Sequence, residues 1–585
     1  MLSLVFDIET DDIKATKIWC IVAQDSDSGK IYKFAPHQLE SGLELLQSAD
    51  RLIGHNILGF DIPVIKNLTG VDLSDKKTVD TLVLSRLLNP QREGGHSLEM
   101  WGYRLKQNKI EFSEFSEYTT EMLEYCVQDV KLNTRLYTFF KQGATKGFSS
   151  ESFKLEHSIA PLLKEQEENG FEFDTIKAEK LLSTLYKRMS EVEEEVHKTF
   201  IPRVVREKII PQYNKDNSLS KLGLNIDTRK KTRLLEHEIV MLEEGNEDIE
   251  RVHSEPFNLG SRKQIGEYLI EFGWKPKKLT PTGQPVVDEK ILSRLTDIPE
   301  ANLIAEYLLL QKRIAQIESW IEAVEEDNRI RGFVIPNGTT TGRMAHRKPN
   351  TAQVPGVRSP YGKECRECWT VRKGYRLVGI DASGLELRML AHYMRDEEFT
   401  KEIVHGDIHT RNKEAAGLES RNQAKTFIYA LLYGAGNKKI GQVVGGNEAD
   451  GKGLRERFFA SQPKFKTLGT RVTKASLRGF IKGLDGRKIH IKSPHSALNF
   501  LLQGAGAIVM KRALVILNDT ANKLKLDFKF VANVHDEWQV EVKEEDAKKF
   551  GELGQQAIID AGIYYKMHCP LDGEYKIGGN WSETH

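Results

Sequence analysis

At 585 residues the chain has room for three or four domains and several cores. Hydrophobic residues make up 39% and charged residues 29%, which excludes a disordered polymer. The net charge of +1 neither supports nor opposes a nucleic-acid partner, since acidic metal sites can offset basic DNA-facing surfaces. Five cysteines (Cys20, Cys126, Cys365, Cys368 and Cys569) are an odd, sparse set that indicates a reducing compartment. Cys365 and Cys368 form a lone CxxC with no second pair nearby, a weak zinc signal. No signal peptide is expected, since Met1 leads straight into an acidic strand, and no apolar run is expected to approach membrane-spanning length.

Residues 4–10 (LVFDIET) alternate with period two, so Asp7 and Glu9 share one face of a predicted strand. Two carboxylates on one face repel each other unless a cation lies between them. The turn-rich run GHNILGFD at 54–61 delivers a third acid, Asp61, and the segment after Asp80 reads as structural. Residues 121–137 have helical periodicity, which puts Tyr125 and Asp129 on one face four residues apart. Four such carboxylates suit two-cation phosphodiester hydrolysis, with a tyrosine hydroxyl to orient water. The ordered set DxE, NxxxFD and YxxxD resembles the DEDD family of 3′–5′ exonucleases in its tyrosine-containing subtype. That resemblance covers about 1–141 and implies a ribonuclease-H-like α/β fold. It also implies Asp7, Glu9, Asp61 and Asp129 as ligands of two divalent ions, Mg²⁺ or Mn²⁺, and Tyr125 as the water-orienting group.

The middle of the chain is the least informative. Residues 151–198 are amphipathic and interrupted at Gly170, which predicts two helices. Residues 203–253 are highly charged, poor in aromatics and predicted to be exposed helix, and 291–324 are helical again. A scaffold of paired helices and a grip on a phosphate backbone both fit this composition.

In the second half, residues 376–380 form an apolar strand that ends on Asp381, followed by Ala382, Ser383, Gly384 and a helix carrying Glu386. A strand-end acid suits Mg²⁺, which takes oxygen ligands and few of them from protein. Before it lies a polar loop, NGTTTGR at 337–343, whose groups suit phosphate and minor-groove contacts. After it, Ser420 with Gln423 makes a capping box and Gly434 a stop. Between them Arg421, Lys425, Tyr429 and Tyr433 recur every fourth residue within one sector of the helix, a stripe suited to a triphosphate followed by a base. Residues 483–487 read as a turn and 501–507 as a small-residue helix start. Residues 528–542 alternate as a hairpin whose tip is His535, Asp536 and Glu537, the partner acids that Asp381 needs.

Together these motifs resemble the family A DNA polymerases, those related to bacterial DNA polymerase I, and in particular the replicative enzymes of short-tailed (T-odd) bacteriophages. The resemblance implies a ribonuclease-H-like exonuclease domain at 1–148 followed by a right-hand polymerase. The thumb would be a helical region at 149–330, the palm 331–394 and 501–585, and the fingers 395–500. It implies two Mg²⁺ ions held by Asp381, Asp536 and the Ala382 carbonyl, with Glu537 beside them. His409, Arg421 and Lys425 would hold the triphosphate of a dNTP, Glu386 would sense the ribose 2′-hydroxyl, and Tyr433 would stack at the templating position. Arg343, Gln503 and His535 would contact primer–template DNA. A tyrosine at 429 implies acceptance of dideoxynucleotides. The expected setting is the host cytoplasm, a monomer working with a helicase–primase and single-strand-binding protein and without a membrane. The stretch between Phe200 and Phe257 shows no obvious insertion of the kind that recruits thioredoxin, so thioredoxin is not expected as a partner. A nuclease whose C-terminal half only positions DNA, a non-enzymatic replication protein and an RNA template stay open on sequence grounds.

Overall fold

The period-two pattern around Asp7 does form a strand, Ser3–Thr10, at the centre of a five-stranded sheet. This computed structural model describes all residues, 1–585. The sheet order is Ile31–Phe34, Ile18–Asp25, Ser3–Thr10, Arg51–Gly54 and Lys77–Asp80; the central strand pairs antiparallel with Ile18–Asp25 and parallel with Arg51–Gly54. The helix Thr120–Phe139 lies across this sheet and buries Met122, Cys126, Val130 and Leu136. Asp80 is structural, as its sequence suggested. Its carboxylate accepts from the amides of Asn56, Leu58, Leu82 and Val83, which caps the helix Thr81–Leu88 and shapes the loop leading to Asp61.

The chain divides into two compact units, one made of Met1–Thr175 with Ala323–His585 and the other of Ile176–Glu322. In the first unit a second sheet runs Phe528–Val534, Glu537–Lys543, Tyr375–Ala382 and Gly573–Gly578, all antiparallel. The helix Ala547–Tyr564 packs on this sheet, and the helix Ala497–Lys523 packs on that helix. The small-residue run at 501–507 is not a helix start: the helix begins at Ala497, and the small residues lie inside it. They are needed for packing. A Cβ on Gly504 would come within 2.6 Å of the Ile489 side chain and 3.3 Å of the Thr341 carbonyl, so glycine lets the helix and the 337–343 loop meet. The segment Pro494–Lys523 is also long and apolar enough to cross a membrane, contrary to expectation; 72% of its apolar window is buried inside the fold.

A cluster of buried charge holds the helix Ser150–Asn169 to this second sheet's supporting layer. Glu156 pairs with Lys511 at 2.7 Å and with Arg487 at 2.6 Å, and Arg487 pairs with Asp485 at 2.7 Å.

In the second unit, the long helices Thr175–Thr199 and Pro299–Glu322 are joined by Arg188 and Glu306 at 2.7 Å. The prediction of helix at 203–253 is wrong. Four strands form a sheet in the order Ile249–Glu255, Arg203–Ile210, Leu222–Asn225 and Lys231–Arg233, with one short helix, Glu236–Glu243. A small core of Ile209, Leu234, Leu242 and Ile249 supports it. β-Branched residues at 204, 205, 209 and 210 favour extended backbone, and the charges that suggested a helix lie on solvated faces of the sheet.

Candidate active sites

Asp7 and Glu9 are both on the central strand, and their carboxylate oxygens and the Cys126 sulfur all lie within 4.8 Å of one another. Asp61, the first residue of the helix Asp61–Thr69, accepts from the Ile8 amide at 3.2 Å and so sits against the strand between them. Asp129 comes from the long helix, one turn after Tyr125. All four acids are raised by burial, and Asp7 and Glu9 also by neighbouring acids of the set. Asp7 stands well above the usual carboxylate range because of burial and then the charges of Asp61, Glu9 and Asp129. Glu9 is pushed up to about 9, chiefly by burial, and Asp61, again by burial, to about 7. Burial also raises Asp129. Such a set is unfavourable alone and fits a divalent cation, whose charge would reverse every one of these shifts.

Lys109 belongs to no motif in the sequence. Its Nζ lies 2.5 Å from Asp129 and 4.7 Å from the Tyr125 ring centroid. Burial works against its charge, and Asp129 more than offsets this, holding Lys109 above its ordinary value. The Tyr125 ring packs against Phe112 and Phe115. Cys126 was also overlooked; its thiol donates to the Asp7 carbonyl at 3.6 Å.

The second acidic set is built from two strand ends. Asp381 is the penultimate residue of Tyr375–Ala382, paired in register with Glu537 on one side and Glu574 on the other. The turn at His535, with φ of 59°, brings Asp536 beside it, and the Ala382 amide donates to the Asp536 carbonyl at 3.2 Å. Asp381 is pushed up to about 7 by burial and then by Asp536, Glu537 and Glu574; Asp536 is raised by burial and then by Glu386. Glu537 differs. It accepts from Gln539 at 2.6 Å, Trp581 at 2.7 Å and His585 at 2.7 Å, and burial is outweighed by His585, Arg366 and Trp581, so it stays below its ordinary value.

The capping box at Ser420 and Gln423 starts the helix Arg421–Leu432 as its sequence predicts. Ala424, Phe427, Ile428 and Leu431 are buried, which turns Arg421, Lys425 and Tyr433 outward and leaves Tyr429 half-buried. Tyr429 lies 6.2 Å from Tyr433 and 6.4 Å from His409, ring centre to ring centre. Burial and then the charges of Arg421 and Lys425 lower His409, which places it with the two cations. An unforeseen partner, Asp407, holds the Arg421 guanidinium at 2.7 Å. Glu386 accepts from both Arg343 and Tyr433, each at 3.2 Å, which joins the 337–343 loop to the striped helix. His535 is lowered by burial and by nearby Arg343 and His346, so it belongs to the same neighbourhood. Gln503 is half-buried on the helix that approaches this loop.

Residues 228–583 match the sequence profile of DNA polymerase family A. The DNA-directed DNA polymerase of Enterobacteria phage T3 is 35% identical, and that of Escherichia phage T7 34% identical, with all of each chain covered in both cases. The POL domain of Pol1 from M. smegmatis, solved with DNA primer–template and dNTP, has the same fold: a TM-score of 0.77 at 18% identity, covering all of this chain and 96% of that one. On the strength of that profile and those full-length relatives, the chain belongs to DNA polymerase family A.

Proposed function

We propose that this polymerase copies a DNA template by adding dNTPs to a primer 3′ end, and that its first domain removes mispaired ends by 3′–5′ hydrolysis. The hydrogen bond between the Asp381 and Asp536 strand ends, together with the cationic and aromatic stripe, carries the polymerase reading. Asp381, Asp536 and the Ala382 carbonyl would hold two Mg²⁺ ions, and Asp7, Glu9, Asp61 and Asp129 two divalent ions, Mg²⁺ or Mn²⁺. When bound, such ions supply Lewis acidity at the phosphate and a more acidic attacking oxygen.

The rest is done by side chains. His409, Arg421 and Lys425 bind the triphosphate, and this requires Arg421 to exchange Asp407 for phosphate oxygens. Glu386, held between Arg343 and Tyr433, meets the sugar and disfavours a 2′-hydroxyl. Tyr433 stacks at the templating position, while Arg343, Gln503 and His535 contact the DNA. Glu537, with its oxygens already engaged, positions the strand end that carries Asp536. In the first domain Tyr125 orients the attacking water.

The thumb corresponds to the middle of the chain, with palm segments at 331–394 and 501–585 around fingers at 395–500. The reading extends to a phage replicative enzyme in the host cytoplasm, monomeric, assisted by a helicase–primase and single-strand-binding protein and independent of thioredoxin. Primer extension and excision of a mismatched end, run in parallel, test it. Asp381→Ala is expected to abolish extension and spare excision, and Asp7→Ala to do the reverse. Extension that survives Asp381→Ala would overturn the assignment of Asp381, and a wild-type enzyme that excises without extending would leave only the nuclease reading.

A further inference from the structure

We propose that Arg86 and Arg347 form a clamp for the backbone phosphates of single-stranded DNA, at the opening of the acidic cleft in the first domain. The proposal rests on reading that cleft as an exonuclease site. The cleft has a volume of about 650 Å³ and is lined by Asp7 and Asp129, by Arg86 and Arg347, and by Asn337 and Gly338 of the polar loop. It therefore runs from the acids to a segment that also serves the polymerase site.

Arg86, near the end of the helix Thr81–Leu88, is half-buried, and its pKa is lowered by burial and by the charge of Arg347. The acid that acts on it most is Asp80, whose oxygens are already taken by four backbone amides. Arg347 is exposed and is held over the Phe333 ring at 4.3 Å. Two like charges brought together without a carboxylate between them repel, and a phosphate oxygen in the gap turns that repulsion into two charge-assisted contacts. The arrangement is also braced: the Asn337 amide donates to the Arg86 carbonyl at 3.1 Å.

A single hairpin links the two sites. The strands Phe333–Ile335 and Ala345–Arg347 pair with Phe333 opposite Arg347, and the loop between them carries Arg343 to Glu386. A strand end that leaves Arg343 at the polymerase site thus meets Arg347 on the same hairpin, beside the exonuclease acids.

The test is binding of a short fluorescent oligothymidylate, with cleavage blocked by Asp7→Ala, alongside excision by the otherwise wild-type enzyme. Arg347→Gln, at an exposed position, and Arg86→Gln are each expected to weaken binding about tenfold. Each should lower the salt slope by about 0.7, the value for one single-strand phosphate. Excision should show a raised KM with kcat nearly intact, and Arg347→Lys should recover part of the loss. Thermal melting separates misfolding of Arg86→Gln from loss of contact, and Arg347→Gln decides the matter if Arg86→Gln does not fold. An enzyme that excises normally, and whose Arg347→Gln variant binds with the wild-type affinity and salt slope, overturns the clamp alone. A wild-type enzyme that excises nothing overturns the exonuclease reading itself.

Discussion

The amide of Ala382 and the carbonyl of Asp536 share a hydrogen bond of 3.2 Å, so backbone alone fixes the separation of the two acid-bearing strand ends. Asp381 precedes the donor and Asp536 carries the acceptor. The sheet register reinforces this, since Asp381 pairs with Glu537. Both carboxylates are raised by burial first and then by neighbouring acids, which is the condition a bound cation relieves.

Tyr429 is expected to set the response to chain terminators. Its ring lies beside His409 and Tyr433, and its phenol is raised by burial and then by Glu386 and Asp536. The enzyme is expected to incorporate dideoxynucleotides nearly as well as dNTPs, and Tyr429→Phe to discriminate against them by at least about tenfold, near 1.4 kcal/mol. Competitive single-nucleotide incorporation measures both. Equal use of terminators by the two enzymes would refute the assignment.

Glu156 should be the most costly single acid to neutralise in the core. It is fully buried with Lys511 and Arg487, which are 2% and 3% exposed. Glu156→Gln leaves two buried cations with Asp485 alone and is expected to destabilise by about 3–5 kcal/mol. Urea unfolding would show this as a lowered midpoint. Adding Lys511→Met should recover part of the loss, because it removes the stranded charge.

His157 makes the fold acid-sensitive. Its Nε2 accepts from the Asp80 amide at 2.9 Å, and its Nδ1 donates to the Phe153 carbonyl at 2.8 Å, an arrangement that only the neutral ring can make. Burial pulls its pKa below the ordinary 6.5, so the unfolded chain binds the proton more readily. The stability it contributes is present above pH 6.5 and is lost as pH falls through that value toward the lower folded-state pKa. His157→Gln, which does not titrate, should unfold with a shallower pH dependence between 7 and 5.

Local pattern carried the sequence reading where chemistry and periodicity coincide. Asp7 and Glu9 announce a strand by period two, Tyr125 and Asp129 a helix face by their spacing of four, and Ser420 with Gln423 an N-terminus. Side chains that act across distance were not legible. Lys109 lies in an irregular loop without periodicity, and Asp407 reaches Arg421 only after the chain has turned between two helices. Glu537 sits next to Asp536 and so reads as catalytic, yet the donors that occupy it include Trp581 and His585, more than forty residues away. The 203–253 stretch misled for another reason: its charges lie on both faces of a small sheet, so the alternation that marks a half-buried strand is faint.

The most direct test of the two-aspartate centre is a double-mutant cycle on single-turnover dNTP incorporation. Asp381→Asn and Asp536→Asn should each slow incorporation by about 10³-fold or more, roughly 4 kcal/mol of transition-state stabilisation. If the two act as one cation-binding unit, the double variant should be little slower than the worse single variant. Effects that multiply, or either variant within about tenfold of wild type, would contradict the account.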